Sequence, residues 1–173
     1  QGCASGVCVS SEQALDVGLF GSDYAPAAPA ARGFWFVAPV DFTITGLRVP
    51  VDVGTGVQSI QVVQLNAAVP DYPATTTNHT TLTYQQQIPG TDFITVSLPI
   101  QTGQMIGVLG VRGTAPLHSS YGTAPTYATT ILGQPVTLNR LRYDGNLSTA
   151  QAGGLAGDSG GTLPYARIEV MYS

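Results

Sequence analysis

The sequence predicts an all-β protein: a β-sandwich with jelly-roll topology and about nine or ten strands. Residues 33–65 alternate apolar and polar side chains, as strands with one buried face do. Glycine and proline recur between the apolar runs and mark turns. No later stretch has a convincing helical pattern. Many short strands separated by turn signals are typical of two sheets packed face to face.

The composition predicts a single domain with few charges. The chain has 173 residues, enough to bury a core, and only 9% of them are charged. All six basic residues are arginines, and the net charge is −4, which argues against nucleic acid or an anionic membrane as partner. No apolar run is long enough for a membrane helix. A surface of hydroxyls and amides suits contact with other proteins or with glycans.

The start of the sequence predicts an extracellular or cell-surface protein. The chain begins at Gln1, so we expect that a leader has been removed. Cys3 and Cys8 lie close together, and we expect a local disulfide in an oxidising compartment. Free thiols or pairing between chains are the alternatives. The sequons at Asn78 and Asn146 would suit a secreted protein, although such triplets also arise by chance.

Residues 1–23 are predicted to form an N-terminal arm with the local disulfide, residues 24–32 an Ala/Pro spacer, and residues 33–173 the β-sandwich domain. Within the arm, Leu15, Val17 and Leu19 fall on one face of a short strand. Either this strand folds back onto its own sheet, or it adds to the sheet of a neighbouring subunit as a donor strand. We predict the second arrangement, because Pro26 and Pro29 disfavour a tight return. Head-to-tail exchange of this kind would produce a filament.

The remaining elements follow from the same alternation. Residues 105–111 are apolar on both faces, which predicts a central strand. The glycine-rich residues 144–161 are predicted to form a long surface loop. Further strands are expected at residues 80–88, 93–100, 127–132, 136–143 and 165–172, with loops at residues 66–78 and 113–125.

Residues 157–161 match the GDSGG loop of chymotrypsin-like serine proteases letter for letter. That chemistry needs a histidine to take the proton of the serine, here Ser159. Neither His79 nor His118 follows the Ala-Ala context of that family. The sequence therefore predicts a glycine-rich loop, a non-enzymatic protein and no cofactor.

A weak calcium candidate lies at Asp144, Asn146 and Ser148, whose alternate oxygen-bearing side chains resemble the opening of a calcium loop. Thr149 and Leu155 stand where an EF-hand has glycine and a bidentate acid. An Asp-Gly turn leaving a strand is the alternative interpretation.

Five aromatic residues could stack on sugar rings: Trp35, Tyr72, Tyr84, Tyr121 and Tyr127. A glycan site would need at least two of them exposed on one concave or flat patch. Trp35 lies between Phe34 and Phe36, so core packing is the competing interpretation.

Three segments carry a family resemblance: residues 32–63 (RGFWFVAPVDFTITGLRVPVDVGTGVQSIQVV), residues 100–113 (IQTGQMIGVLGVRG) and residues 166–172 (ARIEVMY). They resemble secreted bacterial β-sandwich modules of uncharacterised surface proteins, some with PEP-CTERM-type sorting tails. The resemblance implies a fold and a location, and it supplies no catalytic residues.

The sequence thus predicts a secreted, non-enzymatic structural protein that associates with copies of itself into an extracellular filament or matrix. The alternative is a glycan-binding or adhesive β-sandwich module.

Overall fold

The computed structural model describes residues 2–4, 7–9, 11–158 and 161–173, with the backbone alone for residues 2–4 and 7–9. This part of the chain forms fourteen strands and one short 3₁₀ helix at Val51–Val53. The strands are β1 (Gly2–Ala4), β2 (Val7–Val9), β3 (Gln13–Ala14), β4 (Ser22–Tyr24), β5 (Ala31–Val37), β6 (Phe42–Arg48), β7 (Gln58–Leu65), β8 (His79–Ile88), β9 (Ile94–Ile100), β10 (Met105–Arg112), β11 (Ser119–Tyr121), β12 (Thr126–Ile131), β13 (Gln134–Tyr143) and β14 (Glu169–Tyr172).

Ten of these strands form the two antiparallel sheets of a β-sandwich. The larger sheet has the order β12-β13-β5-β10-β7-β8, and the smaller one has the order β3-β14-β6-β9. The predicted all-β sandwich is confirmed. The strand order does not confirm the finer prediction of a jelly roll. The described residues contain no helix with the length and apolarity needed to cross a bilayer.

The main core lies between the two sheets and follows the predicted alternation. Phe34 and Phe36 of β5 point inward, and Phe42 and Ile44 of β6 face them from the smaller sheet. The rings of Phe36 and Phe42 are 6.3 Å apart, and Tyr172 meets Phe42 edge-on at 5.9 Å. The period-two pattern therefore identifies the buried face of both strands correctly.

Strand β10 is the central strand that the sequence predicts. It pairs with β5 on one side and β7 on the other, and all of its residues after Met105 are buried. At Gly33, a Cβ atom would lie 1.8 Å from the carbonyl oxygen of Val108. Glycine is required there because the backbones of β5 and β10 approach too closely for any side chain.

A second core covers the outer face of the larger sheet. Leu147 and Leu155, from the segment between β13 and β14, are fully buried against Val63, Leu65 and other apolar residues of the sheet. The prediction that residues 144–161 form a surface loop is therefore wrong for these positions. The loop shields apolar side chains that one face of the sheet would otherwise expose to water.

The arm from Gln13 packs on its own chain. Strand β3 pairs with β14, and the amide of Leu15 donates to the carbonyl oxygen of Val170 at 2.8 Å. Leu15 and Val17 are buried in the main core, whereas Leu19 is 80% exposed. This corrects the prediction that Leu15 and Val17 pack into a neighbouring subunit: the main core of their own chain accepts both side chains.

The predicted spacer is bounded by strand residues. Tyr24 belongs to β4, which pairs with β11, and Ala31 and Arg32 already belong to β5. The ring of Tyr24 stacks on Tyr121 at 4.7 Å, which holds β4 against β11. Residues 25–30 alone connect β4 to β5, so the connecting segment is shorter than the predicted spacer of residues 24–32.

The backbone of β1 and β2 pairs Cys3 directly with Cys8. The side chains of both cysteines lie outside the described residues, so the disulfide stays a prediction.

Candidate functional site

A cleft of about 410 Å³ lies on the outer face of the larger sheet, beside the second core. We call it the Trp35 cleft. Its polar and aromatic lining comes from Trp35, Asp71, Thr126, Asn139, Arg140 and Asp158. These residues belong to three neighbouring strands, β12, β13 and β5, and to two loops that are distant in sequence.

Strands β5 and β13 form the floor of the Trp35 cleft. Their register places Trp35 opposite Asn139. The side-chain amide of Asn139 donates to the carbonyl oxygens of Trp35 at 3.3 Å and Thr137 at 3.1 Å. Because both amide hydrogens are used in this way, the Oδ1 atom of Asn139 is the group that can accept a hydrogen bond from a ligand. Trp35 is half-buried, with part of the indole packed against the second core.

Two covering loops bring the carboxylates of Asp71 and Asp158 to the opposite wall. A parallel bridge joins Asp71 to Gly157, and the amide of Gly157 donates to the carbonyl oxygen of Pro70 at 2.8 Å. The Oδ2 atom of Asp158 is buried and receives no hydrogen bond from the described atoms. An ionised carboxylate only accepts hydrogen bonds, so this wall suits a ligand that donates them.

The guanidinium of Arg140 also borders the cleft, but its hydrogen bonds point elsewhere. One terminal nitrogen donates to the hydroxyl of Tyr121 at 3.2 Å, and the other donates to the carbonyl oxygen of Pro164. The guanidinium carbon lies 5.3 Å from the centre of the Tyr121 ring. These contacts hold the cation against buried Tyr121. The acceptors in the lining are the carboxylates of Asp71 and Asp158 and the Oδ1 atom of Asn139.

A smaller cleft of about 200 Å³ lies on the other side of the Asp71–Gly157 bridge. Tyr72 is its exposed aromatic residue, and the guanidinium of Arg142 lies 3.6 Å from the ring centre. Arg142 also donates to Asp144 at 2.6 Å. One face of Tyr72 is therefore covered by a cation that is itself neutralised by a carboxylate.

The other three predicted aromatics are occupied in packing. The hydroxyl of Tyr84 donates to the carbonyl oxygen of Leu147 at 2.7 Å, and burial raises the pKa of Tyr84. Tyr121 is buried against Tyr24. Tyr127 donates to Asp16 at 2.8 Å, and that hydrogen bond raises its pKa. The structure thus brings Trp35 and Tyr72 to neighbouring clefts and leaves Tyr84, Tyr121 and Tyr127 outside them.

The geometry argues against the calcium candidate. The carboxylate of Asp144 is held by two guanidinium groups, those of Arg142 and of Arg32 at 3.1 Å. The Oδ1 atom of Asn146 accepts hydrogen bonds from the backbone amide and the hydroxyl of Ser148, at 3.0 and 2.7 Å. The three side chains therefore form an ion pair and an Asx turn, and they do not converge on one point. The described residues contain no group of three or more acidic, histidine or cysteine side chains arranged to hold a metal.

Ser159 lies outside the described residues, so the non-enzymatic character stays a prediction. The two histidines have other partners: His118 Nδ1 lies 2.8 Å from Asp23 Oδ2, and His79 Nε2 lies 2.8 Å from the carbonyl oxygen of Gly153.

The two sequons differ in accessibility. Asn78 is exposed in the loop before β8. Asn146 is half-buried, and its side-chain carbonyl oxygen accepts a hydrogen bond from the hydroxyl of Ser148. Ser148 is fully buried. Of the two, Asn78 is therefore the site that a glycosyltransferase could reach in the folded protein.

No protein-family model matches this chain, and a search of curated proteins finds no match. Function therefore has to be inferred from the geometry of the chain itself.

Proposed function

We propose that this chain is an extracellular, non-enzymatic structural protein that associates with copies of itself into a filament or matrix. The observation that supports the proposal is the absence of charge along the edges of both sheets. The four edge strands, β3, β8, β9 and β12, contain no Asp, Glu, Lys or Arg. Edge strands present unpaired N–H and C=O groups, and monomeric proteins commonly place charges there to prevent pairing with another chain.

Strand β12 is the edge best suited to pairing. It runs against β13 in unbroken register from Thr126 to Ile131. By contrast, the β7–β8 and β6–β9 pairings contain bulges, and β9 contains Pro99. Bulges twist an edge and proline removes a donor, so β8 and β9 are less regular templates than β12.

The route of association differs from the one that the sequence predicts. Exchange of Leu15 and Val17 between subunits is not proposed, because both are buried in their own chain. Pairing of uncharged edges needs no such exchange. The low charge of the whole chain, 9%, also reduces the desolvation cost when two surfaces meet.

The experiment that tests this proposal places one lysine on the β12 edge. Thr130 is exposed on β12, and Thr55 is exposed in a loop after the 3₁₀ helix, which makes Thr55→Lys the matched control. We expect the unmodified chain and Thr55→Lys to form polymers in negative-stain images and in sedimentation velocity. We expect Thr130→Lys to shift the population towards monomer. A monomeric unmodified chain, or equal polymers from both variants, would contradict the proposal.

A glycan-binding or adhesive module is the second candidate, and one observation favours it. Trp35 lines the cleft that includes Asp71 and Gly157, and Tyr72 lines the smaller cleft that includes Ala156, so adjacent residues of the same two loops border the two clefts. Sites that bind sugars by stacking commonly contain aromatic side chains beside hydrogen-bonding groups.

A further inference from the structure

We propose that the Trp35 cleft binds a neutral saccharide, with one sugar ring against the indole and its hydroxyls donating to Asp71, Asp158 and Asn139. This inference rests on the second candidate function, glycan binding. It adds the residues and the class of sugar.

The dimensions and lining of the cleft suit a sugar ring. Its volume, about 410 Å³, falls in the range of small-molecule sites, roughly 300 to 1,000 Å³. The indole of Trp35 is fixed from below by the second core, so its position is set before a ligand arrives. The C–H groups on one face of a pyranose can pack on such a ring because that face is apolar.

The polar groups of the cleft are acceptors. Asp71 and Asp158 supply carboxylate oxygens, and Asn139 presents Oδ1 because its amide hydrogens are already used. Sugar hydroxyls are donors as well as acceptors, and a hydroxyl bound to a carboxylate forms a charge-assisted hydrogen bond.

The charge of the cleft selects against acidic sugars. Its two carboxylates repel a uronate or a sulfate, and the terminal nitrogens of Arg140 already donate to Tyr121 and Pro164. The lining holds two carboxylates against the one guanidinium of Arg140, which already uses two of its five N–H donors on protein acceptors. An anionic sugar would therefore meet net like charge, which costs binding energy. Neutral hexose polymers avoid this cost.

The protein carries its own reporter for this test, since Trp35 is its single tryptophan. Fluorescence of the full chain would be titrated with cellohexaose, mannohexaose, chitohexaose and the anionic hexagalacturonate. The variant Asp71→Asn removes one charged acceptor from the cleft. Asp92→Asn is the matched control, because Asp92 is exposed in the turn between β8 and β9.

We expect at least one neutral hexasaccharide to change the Trp35 emission, with an affinity about tenfold weaker in Asp71→Asn and unchanged in Asp92→Asn. We expect no response to hexagalacturonate. If no sugar of the four alters the emission at millimolar concentration, both the inference and the glycan-binding candidate fail. If hexagalacturonate alone binds, or if Asp71→Asn binds as tightly as the control, glycan binding stands and the inference about this cleft fails. A protein that polymerises but binds no sugar would leave the structural proposal intact.

Discussion

Replacing Arg112 with methionine should lower the free energy of unfolding more than replacing Arg48, which forms a partly exposed ion pair. Arg112 lies at the end of β10 and is 1% exposed. Its guanidinium donates to four backbone carbonyl oxygens: those of Val49 at 2.7 Å, Pro50 at 3.2 Å, Gly56 at 2.8 Å and Gly90 at 3.1 Å. It thereby ties β10 to the loop around the 3₁₀ helix and to the β8–β9 turn. Burial lowers the pKa of Arg112.

The magnitude follows from which carbonyls water can reach. Gly56 and Gly90 are exposed, so their carbonyl oxygens can bind water when the guanidinium is gone. Val49 and Pro50 are buried, and each buried acceptor left without a partner costs about 1 to 3 kcal/mol. Methionine fills part of the space and removes the cost of burying a charge, which offsets some of the loss. We expect a net decrease of about 3 kcal/mol in the free energy of unfolding.

The assay is equilibrium unfolding in urea, followed by the fluorescence of Trp35. The matched control is Arg48→Met, because Arg48 pairs with Glu169 at 2.5 Å and both side chains remain 28% exposed. A partly exposed ion pair contributes about 1 kcal/mol or less. Should Arg112→Met prove no less stable than Arg48→Met, the reasoning about buried carbonyls would be refuted.

Two further predictions concern packing and pH. Gly33→Ala should lower the free energy of unfolding in urea by more than about 3 kcal/mol, because the new Cβ would lie 1.8 Å from the carbonyl oxygen of Val108. Gly153→Ala, which has open space around it, should be nearly neutral. Equal stabilities of the two variants would contradict this reasoning. Burial raises the pKa of Tyr165 to about 12 from an ordinary 10, and its hydroxyl donates to the carbonyl oxygen of Val17 at 2.6 Å. The raised pKa favours the protonated phenol in the folded state, so the contribution of Tyr165 to the free energy of unfolding is complete below pH 10. About 2 to 3 kcal/mol of that contribution is lost as the pH rises through 12. Thermal melting between pH 9 and about 12 checks it: Tyr165→Phe should flatten the decline, and an identical decline in both proteins would count against it.

The sequence predicted the sheets well because a strand with one buried face leaves a local pattern. The alternation of Phe42, Thr43 and Ile44 identifies the inner face of β6, and the continuous apolar run from Met105 identifies the central strand. Both signals come from neighbouring residues, so no knowledge of the tertiary structure is needed to read them.

The second core could not be predicted in this way. Leu147 and Leu155 lie in a segment without regular periodicity, and only the tertiary structure places them over the larger sheet. The same limit applies to Leu15 and Val17, whose alternation indicates a buried face without saying which sheet buries it. In that case the tertiary structure selected the chain's own sheet.

Of the candidate site, the sequence predicted only the aromatic residues. Trp35 and Tyr72 were visible as residue types that bind sugars. Asp71 and Asn139 carried no signal, and Asp158 was noted only as part of the GDSGG match, because the Asp71–Gly157 bridge and the β5–β13 register that bring them together are long-range contacts. Of the five aromatics, the sequence alone could not separate those in clefts from those in packing.

The place of β14 in the smaller sheet has a consequence for how the protein is made. Strand β14 lies between β3 and β6, and the side chain of Tyr172 reaches back to Gln13 across 159 residues of sequence. The ribosome must therefore synthesise residue 172 before the inner strand of this sheet exists. Until then the inner faces of β5 and β6 remain partly exposed to water, and contacts of such long range also form slowly. Completion of the smaller sheet therefore follows the synthesis of nearly the whole chain and cannot accompany it.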